Sequence, residues 1–211
     1  MSETHTALHE PWRSLERERL AASFGLWVFL ATEVLFFGGI FLAYTVYRFE
    51  HPDAFRVAAS HAAVLYGTVN TAILLTSSLF VAVAVKAAEA GLRRLVLRCL
   101  AATILLGTAF LVVKAFEYLK DIHDGLVPGY DFRLEPASTQ LFWGLYWIAT
   151  SVHALHVTIG LGLMATLWLR SHLRRLPLRA SPIPEVTALY WHFVDVIWIF
   201  LYPIIYLVGR A

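Results

Sequence analysis

The stretch from Tyr190 to Leu207, YWHFVDVIWIFLYPIIYL, is apolar for the length of a bilayer crossing, yet it carries His192 and Asp195 one helical turn apart. A titratable group at bilayer depth costs at least ~2.5 to 3.5 kcal/mol on insertion scales, so it persists where it faces protein, headgroup or water and has a partner. His153 and His156, in TSVHALHVTIG, repeat the i, i+3 spacing and project from one helix face. Glu33, in FGLWVFLATEVLFFGGIF, is a further group of this kind. Imidazole and carboxylate together suit iron, zinc or copper, and they equally suit proton transfer.

The spacing argues against a metal. A di-iron site in a bundle draws a Glu-x-x-His pair from each of two helices together with further glutamates, and Glu33 is the one deep glutamate. A bis-histidine haem site would set His153 or His156 against His192. The better reading is a polar network in which His153, His156, His192 and Asp195 satisfy one another where water is absent. Glu33 lies eleven residues into its apolar run, roughly 16 Å deep at the ~1.5 Å rise of a helix. With no basic residue within four positions, it is either protonated or bonded to another helix or a lipid headgroup. Two roles stay open for it: a protonated carboxyl tying helices together, or a proton-linked or lipid-linked function. Thr32, Gly38 and Gly39 beside it predict a face that packs closely.

The elements that position these groups follow from composition. The 211 residues are 59% hydrophobic and 15% charged, with mean hydropathy +0.65, which places the chain in the membrane class. Five apolar segments are long enough to span: Ala22–Tyr47, His61–Val85, Leu95–Leu119, Leu141–Leu169 and Val186–Val208. Turn residues punctuate them at His51-Pro52-Asp53, Ala90-Gly91, Val127-Pro128-Gly129, Pro136, Pro177, Pro182 and Pro184. None alternates as a barrel strand does. The predicted fold is therefore all-α, an integral membrane bundle of five transmembrane helices, residues 22–211, preceded by a cytoplasmic or interfacial segment, residues 1–21. In that segment Trp12 and Leu15 share a helix face opposite charged neighbours, which suits a surface-lying helix or a solvated leader. No cleavable signal peptide is expected, because the first apolar run is too long for one.

Eleven of the 17 lysines and arginines fall at the N-terminus and at the second and fourth connections, which puts the N-terminus in the cytoplasm and the C-terminus outside. The small net charge of +2 offers nothing to nucleic acid. The single cysteine, Cys99, excludes an internal disulfide or a cysteine-ligated cluster built by this chain. Lys114, Glu117 and Lys120 are expected to form solvated pairs at a helix end. Trp143, Tyr146, Trp147, Trp168, Tyr190 and Trp191 are expected as interfacial anchors, and the hydroxyl-rich second span, Asn70 to Ser78, as a close helix contact.

Several of these motifs, in this order, resemble subunit III of the haem-copper oxidases, the cytochrome c oxidase family. The matching elements are EVLFFGGIFLAY from Glu33, Asn70-Thr71, Glu117-Tyr118, HALHVTIG from His153 and YWHFVDVIWIFLY from Tyr190, so the resemblance covers the chain from about Ser23 onward. It implies an accessory subunit of a respiratory terminal oxidase that reduces oxygen to water while moving protons. Such a subunit carries no metal; haem and copper belong to partner subunits. It packs with catalytic subunit I and with subunit II, holds structural phospholipids in a cleft, and supports proton uptake. Cytochrome c or quinol is reached through those partners, and the location implied is the bacterial inner membrane.

By the same resemblance Glu33 matches the carbodiimide-reactive carboxyl facing the lipid cleft, while Glu117, His153, His156, His192 and Asp195 match mainly structural positions. The chain departs from the seven-helix members in lacking two N-terminal helices. It also has Lys114 where they typically have Gln, and Ala154 where they have Gly. A quinol oxidase subunit III or a subunit III-like partner of a nitric oxide reductase fits the same motifs. A proton-linked transporter would retain such polar residues too, but five spans show no related halves.

Overall fold

In lipid the backbone has no water to bond, so an apolar run long enough to cross must satisfy its own amides as a helix. The computed structural model describes residues 15–129, 131–173 and 181–207, and among these the structure is all-helical. The helices are α1 (Leu15–Glu50), α2 (Pro52–His61), α3 (Val64–Glu89), α4 (Arg93–His123), α5 (Thr139–His172) and α6 (Ile183–Tyr202), followed by a π-helical turn, Pro203–Leu207. Five are long and apolar enough to span, as the sequence predicts. The expected interfacial stretch around Trp12 lies outside the described residues, but Leu15 onward is already helical and continuous with the first span.

The short helix α2 is not anticipated by hydropathy. The turn expected at His51-Pro52-Asp53 is instead its start, with Pro52 in the first turn, where a missing N–H costs nothing, and Asp53 at the positive end of the dipole. Ten residues are too few to register as a span. Their buried side, Ala54, Phe55, Ala58 and Ala59, packs on α5 through an edge-to-face contact of Phe55 with Phe142 at 5.7 Å.

Glycine ends two helices by the same device. Gly91 (φ 75°) and Gly125 (φ 73°) occupy the left-handed region after α3 and α4. In each case the next amide reaches back to close the last turn, Leu92 to the Ala87 carbonyl at 2.8 Å and Leu126 to that of Asp121 at 2.9 Å. At the other end of α4, the Arg93 guanidinium donates to the carbonyls of Ser171 and His172, so a cation caps the C-terminus of α5. Pro203 brings no N–H to the α6 ladder, and the wider turn that follows leaves the Ile204 carbonyl to accept from Tyr44 Oη at 2.8 Å.

Helix α6 is the centre of the bundle, packed against α3, α5 and α1. Half of its apolar span is buried, against 11% for α1, which rests chiefly on α2, α5 and α6. The indole of Trp191 fixes this centre: it is fully buried, donates to Ser77 Oγ of α3 at 3.1 Å, and lies against Gly107 of α4 and Gly160 of α5. A Cβ at Gly107 would come within 2.8 Å of the indole and one at Gly160 within 2.9 Å. Gly107→Val is therefore expected to cost about 1–3 kcal/mol, read as a lowered thermal unfolding midpoint in detergent. Gly144→Ala, where an added Cβ meets nothing within 4 Å, is expected to be neutral or to stabilise by about 0.5–1 kcal/mol.

Candidate functional site

The intramembrane polar residues do not form the single network expected of them. His156 turns to Glu33, with Nε2 and Oε2 3.2 Å apart and both side chains largely enclosed. His156 Nδ1 lies 2.8 Å from the Val152 carbonyl, which can only accept, so Nδ1 is assigned the hydrogen. A neutral ring of that tautomer presents a bare Nε2 to Glu33. Nε2 and a carboxylate oxygen at this distance need one proton between them, carried by one or the other. Phe37 packs edge-on to the imidazole at 5.6 Å, and Tyr190 donates to the His156 backbone carbonyl at 3.2 Å, so α1, α5 and α6 meet around the pair. Glu33 thus has a partner on another helix.

The face beside Glu33 is not closely packed within this chain, contrary to the expectation from its small residues. Gly38 and Gly39 have nothing within 4 Å of an added Cβ, and Thr32 is exposed, bonded only to its own turn at Phe29. Leu35 and Leu42 are likewise exposed. Among the described residues nothing covers this face, because α1 leans on α5 and α6 along its other side.

His192 and Asp195 part company as well. His192 Nδ1 bonds Ser78 Oγ of α3 at 2.6 Å, while the buried Asp195 carboxyl, which lies near the same hydroxyl, makes no hydrogen bond of normal geometry among the described residues. His153 also leaves both nitrogens unbonded, held between the rings of Phe110 at 5.7 Å and Trp198 at 5.1 Å. The expected mutual satisfaction fails because the polar groups of α6 turn to the hydroxyl face of α3, while His153 of α5 meets a ring of α6 and not a polar group: Ser77 accepts from Trp191, Thr71 from Trp198 at 3.0 Å, and Ser78 meets His192. That part of the expectation, close contact through the second span, is what the structure shows. No three His, Cys, Asp or Glu side chains gather as a metal set among the described residues.

Lys114 and Glu117 depart furthest from the expected solvated pair. Lys114 is 2% exposed and Glu117 1%. The ammonium donates to Glu117 Oε2 at 3.0 Å, to Tyr146 Oη at 3.1 Å and to Tyr206 Oη at 2.8 Å. Tyr206 Oη lies 2.6 Å from Glu117 Oε1, and Tyr146 Oη sits 3.0 Å from the same oxygen and 2.7 Å from Asp121 Oδ2. The ring faces of Tyr118 and Tyr146 lie within 5 Å of the ammonium. Lys120 is solvated as expected but pairs with Asp124 at 2.9 Å and not with Glu117, and that bond holds the Asp124 carboxyl below the ordinary carboxylate range.

Reasoning from sequence missed Asp121, Tyr146 and Tyr206. Lys114, Glu117 and Asp121 at i, i+3 and i+7 share one helix face, a signal that was present but outweighed by their position near a span end. Trp143, Tyr146, Tyr190 and Trp191, expected as interfacial anchors, are buried, whereas Trp147 and Trp168 are half-buried.

These contacts set distinct energies. Removing one member of a buried ion pair leaves its partner uncompensated, so Lys114→Met is expected to cost about 3–5 kcal/mol, seen as lost assembly or a sharply lowered unfolding midpoint. His192→Leu removes one interhelical bond and is expected to cost only about 0.6–1.7 kcal/mol in the same measurement. Asp195→Asn is expected to leave stability unchanged or raise it, and a drop above ~2 kcal/mol would reveal a partner for that carboxylate.

Comparison with known proteins matches the architecture. The family model described as cytochrome c oxidase subunit III covers residues 17–210. The chain is 34% identical to the cytochrome c oxidase subunit 3 of Corynebacterium diphtheriae over 88% of its length and 87% of that protein. It is 30% identical to the cytochrome bo(3) ubiquinol oxidase subunit 3 of Pseudomonas aeruginosa, over 88% of this chain and 84% of that one. Identity to the quinol oxidase subunit 3 of Bacillus subtilis is 28%, again over 88% of this chain. With five spanning helices in order and a family match along almost the whole sequence, the chain belongs to the cytochrome c oxidase subunit III family.

Proposed function

We propose that this chain serves a respiratory haem-copper terminal oxidase, first of all one using cytochrome c, as an accessory subunit that performs no redox chemistry itself. It stabilises catalytic subunit I beside subunit II, where haem and copper reside, holds structural phospholipid, and supports proton uptake. The N-terminus faces the cytoplasm of a bacterial cell and the C-terminus the outside, in keeping with the distribution of lysine and arginine.

The observation that carries this reading is the Glu33–His156 pair on a helix whose outward face is uncovered among the described residues. A carboxyl that shares one proton with His156, placed at the edge of α1 beside exposed Val34, Leu35 and Phe36, stands where a lipid headgroup or a partner helix can reach it. The histidines support the non-redox part: His153 is enclosed by aromatic rings, His156 is engaged by Glu33 and His192 by Ser78. The quinol oxidase reading has its own support, since relatives of both donor types are similar to this chain over nearly equal lengths.

Affinity-tagged chain, extracted gently from its native membrane, is expected to bring down a haem-bearing oxidase. Its visible spectrum and its turnover with reduced cytochrome c or with quinol distinguish the two donors, and isolation without any haem protein would overturn the proposal. Glu33→Ala is expected to assemble normally while lowering bound phospholipid or shortening the active lifetime of the oxidase during turnover. No change in either would reduce Glu33 to a packing residue.

A further inference from the structure

The cluster around Lys114 contains one contact more than its obvious hydrogens can supply. Six polar contacts join Lys114, Glu117, Asp121, Tyr146 and Tyr206, at 2.6 to 3.1 Å. The ammonium provides three hydrogens and each phenol one, which leaves the sixth contact without a hydrogen if both carboxyls are ionised. Tyr146 Oη shows the conflict directly: it lies within bonding distance of two carboxylate oxygens, Glu117 Oε1 and Asp121 Oδ2, and has one hydrogen to give.

A proton on either carboxyl would complete the set, and the surroundings choose between them. Glu117 is bonded directly to the ammonium and to Tyr206, as an ionised group requires. Among the described residues no cation bonds Asp121 directly. Lys114 spends its three hydrogens elsewhere, and Lys120 is turned outward to Asp124. Asp121 Oδ1 is buried with no hydrogen-bond partner, which suits the carbonyl oxygen of a neutral acid far better than half of a carboxylate. The residue also sits in the last turn of α4, where the dipole opposes an anion.

We propose that Asp121 is a proton-binding site, its acid O–H donating to Tyr146 Oη while Tyr146 donates to Glu117. The chain of hydrogens then runs Asp121 to Tyr146 to Glu117, with Tyr206 and Lys114 completing the carboxylate's shell, and the cluster is neutral. Each O–H lies on the short 2.7 to 3.0 Å path to its acceptor, so the proton can shift towards Glu117 by concerted exchange along existing bonds, with no group leaving the cluster. This site lies ten residues along α5 from the Glu33 partner His156, about 15 Å at helical rise. It does not rest on the function proposed above.

Infrared spectroscopy on the full chain purified in detergent tests it. The wild type minus Asp121→Asn difference spectrum is expected to contain one protonated-carboxyl C=O band that shifts in D2O, and no carboxylate band. A carboxylate band lost in its place would overturn the proposal. Glu117→Gln is expected to remove a carboxylate band and keep the protonated one; loss of the protonated band in that variant alone would place the proton on Glu117 and overturn the assignment. Should Asp121→Asn fail to assemble, carboxyl-13C aspartate labelling of the Asp195→Asn chain gives the same reading without touching Asp121. The protonated-carboxyl band is expected to move to lower frequency, and an unmoved band would overturn the site.

Discussion

A helix bundle in lipid gains little from hydrophobic contact, because the solvent it leaves is as apolar as the neighbour it meets. Cohesion must come from close approach and from polar groups that have nowhere else to bond, and the indole of Trp191 provides both. It lies between two glycines, Gly107 and Gly160, on different helices, and it spends its one hydrogen on Ser77 of a third. Four of the spanning helices are thereby brought to one point. A larger residue at either glycine would open the contact, and the α3 hydroxyl face would lose its register against α6.

The same constraint sorts the polar residues. Where a partner stands across the interface, the group is bonded: Trp198 to Thr71, His192 to Ser78, His156 to Glu33. The strongest concentration is at the C-terminal end of α4, where an ammonium, two carboxyls and two phenols enclose one another. Gly125 and the backbone bond from Leu126 to the Asp121 carbonyl end α4 just past the cluster, and Trp147 Nε1 ties Leu126 to α5 at 3.2 Å. A helix terminus is thus held by its cap, a loop and a buried charge group together.

For an accessory oxidase subunit this division has a functional sense. Helices α3 to α6 pack closely on one another. Helix α1 is held to it by the Glu33–His156 pair, by ring contacts such as Phe29 with Tyr190 at 6.2 Å, and by the Tyr44 bond to Ile204. Its outer surface, with Trp27, Leu35 and Leu42 exposed, is available to lipid or to a neighbouring subunit.

The sequence by itself determined the number, order and approximate limits of the spanning helices, because span length and turn residues are local properties that lipid enforces one segment at a time. Its motifs likewise carried the family, and the hydroxyl run from Asn70 to Ser78 carried the close contact of the second span. Only the tertiary structure decided the pairings. His192 with Asp195, and Lys114 with solvent, were natural readings along one helix, yet partners are set by which face of a neighbour arrives at that depth. The α3 hydroxyls reached His192, and Tyr146 and Tyr206 closed over Lys114 from α5 and from the π-helical turn after α6. Helix α2 was hidden for a related reason: ten alanine-rich residues carry too little hydropathy to declare themselves until Phe142 supplies the surface on which Phe55 packs.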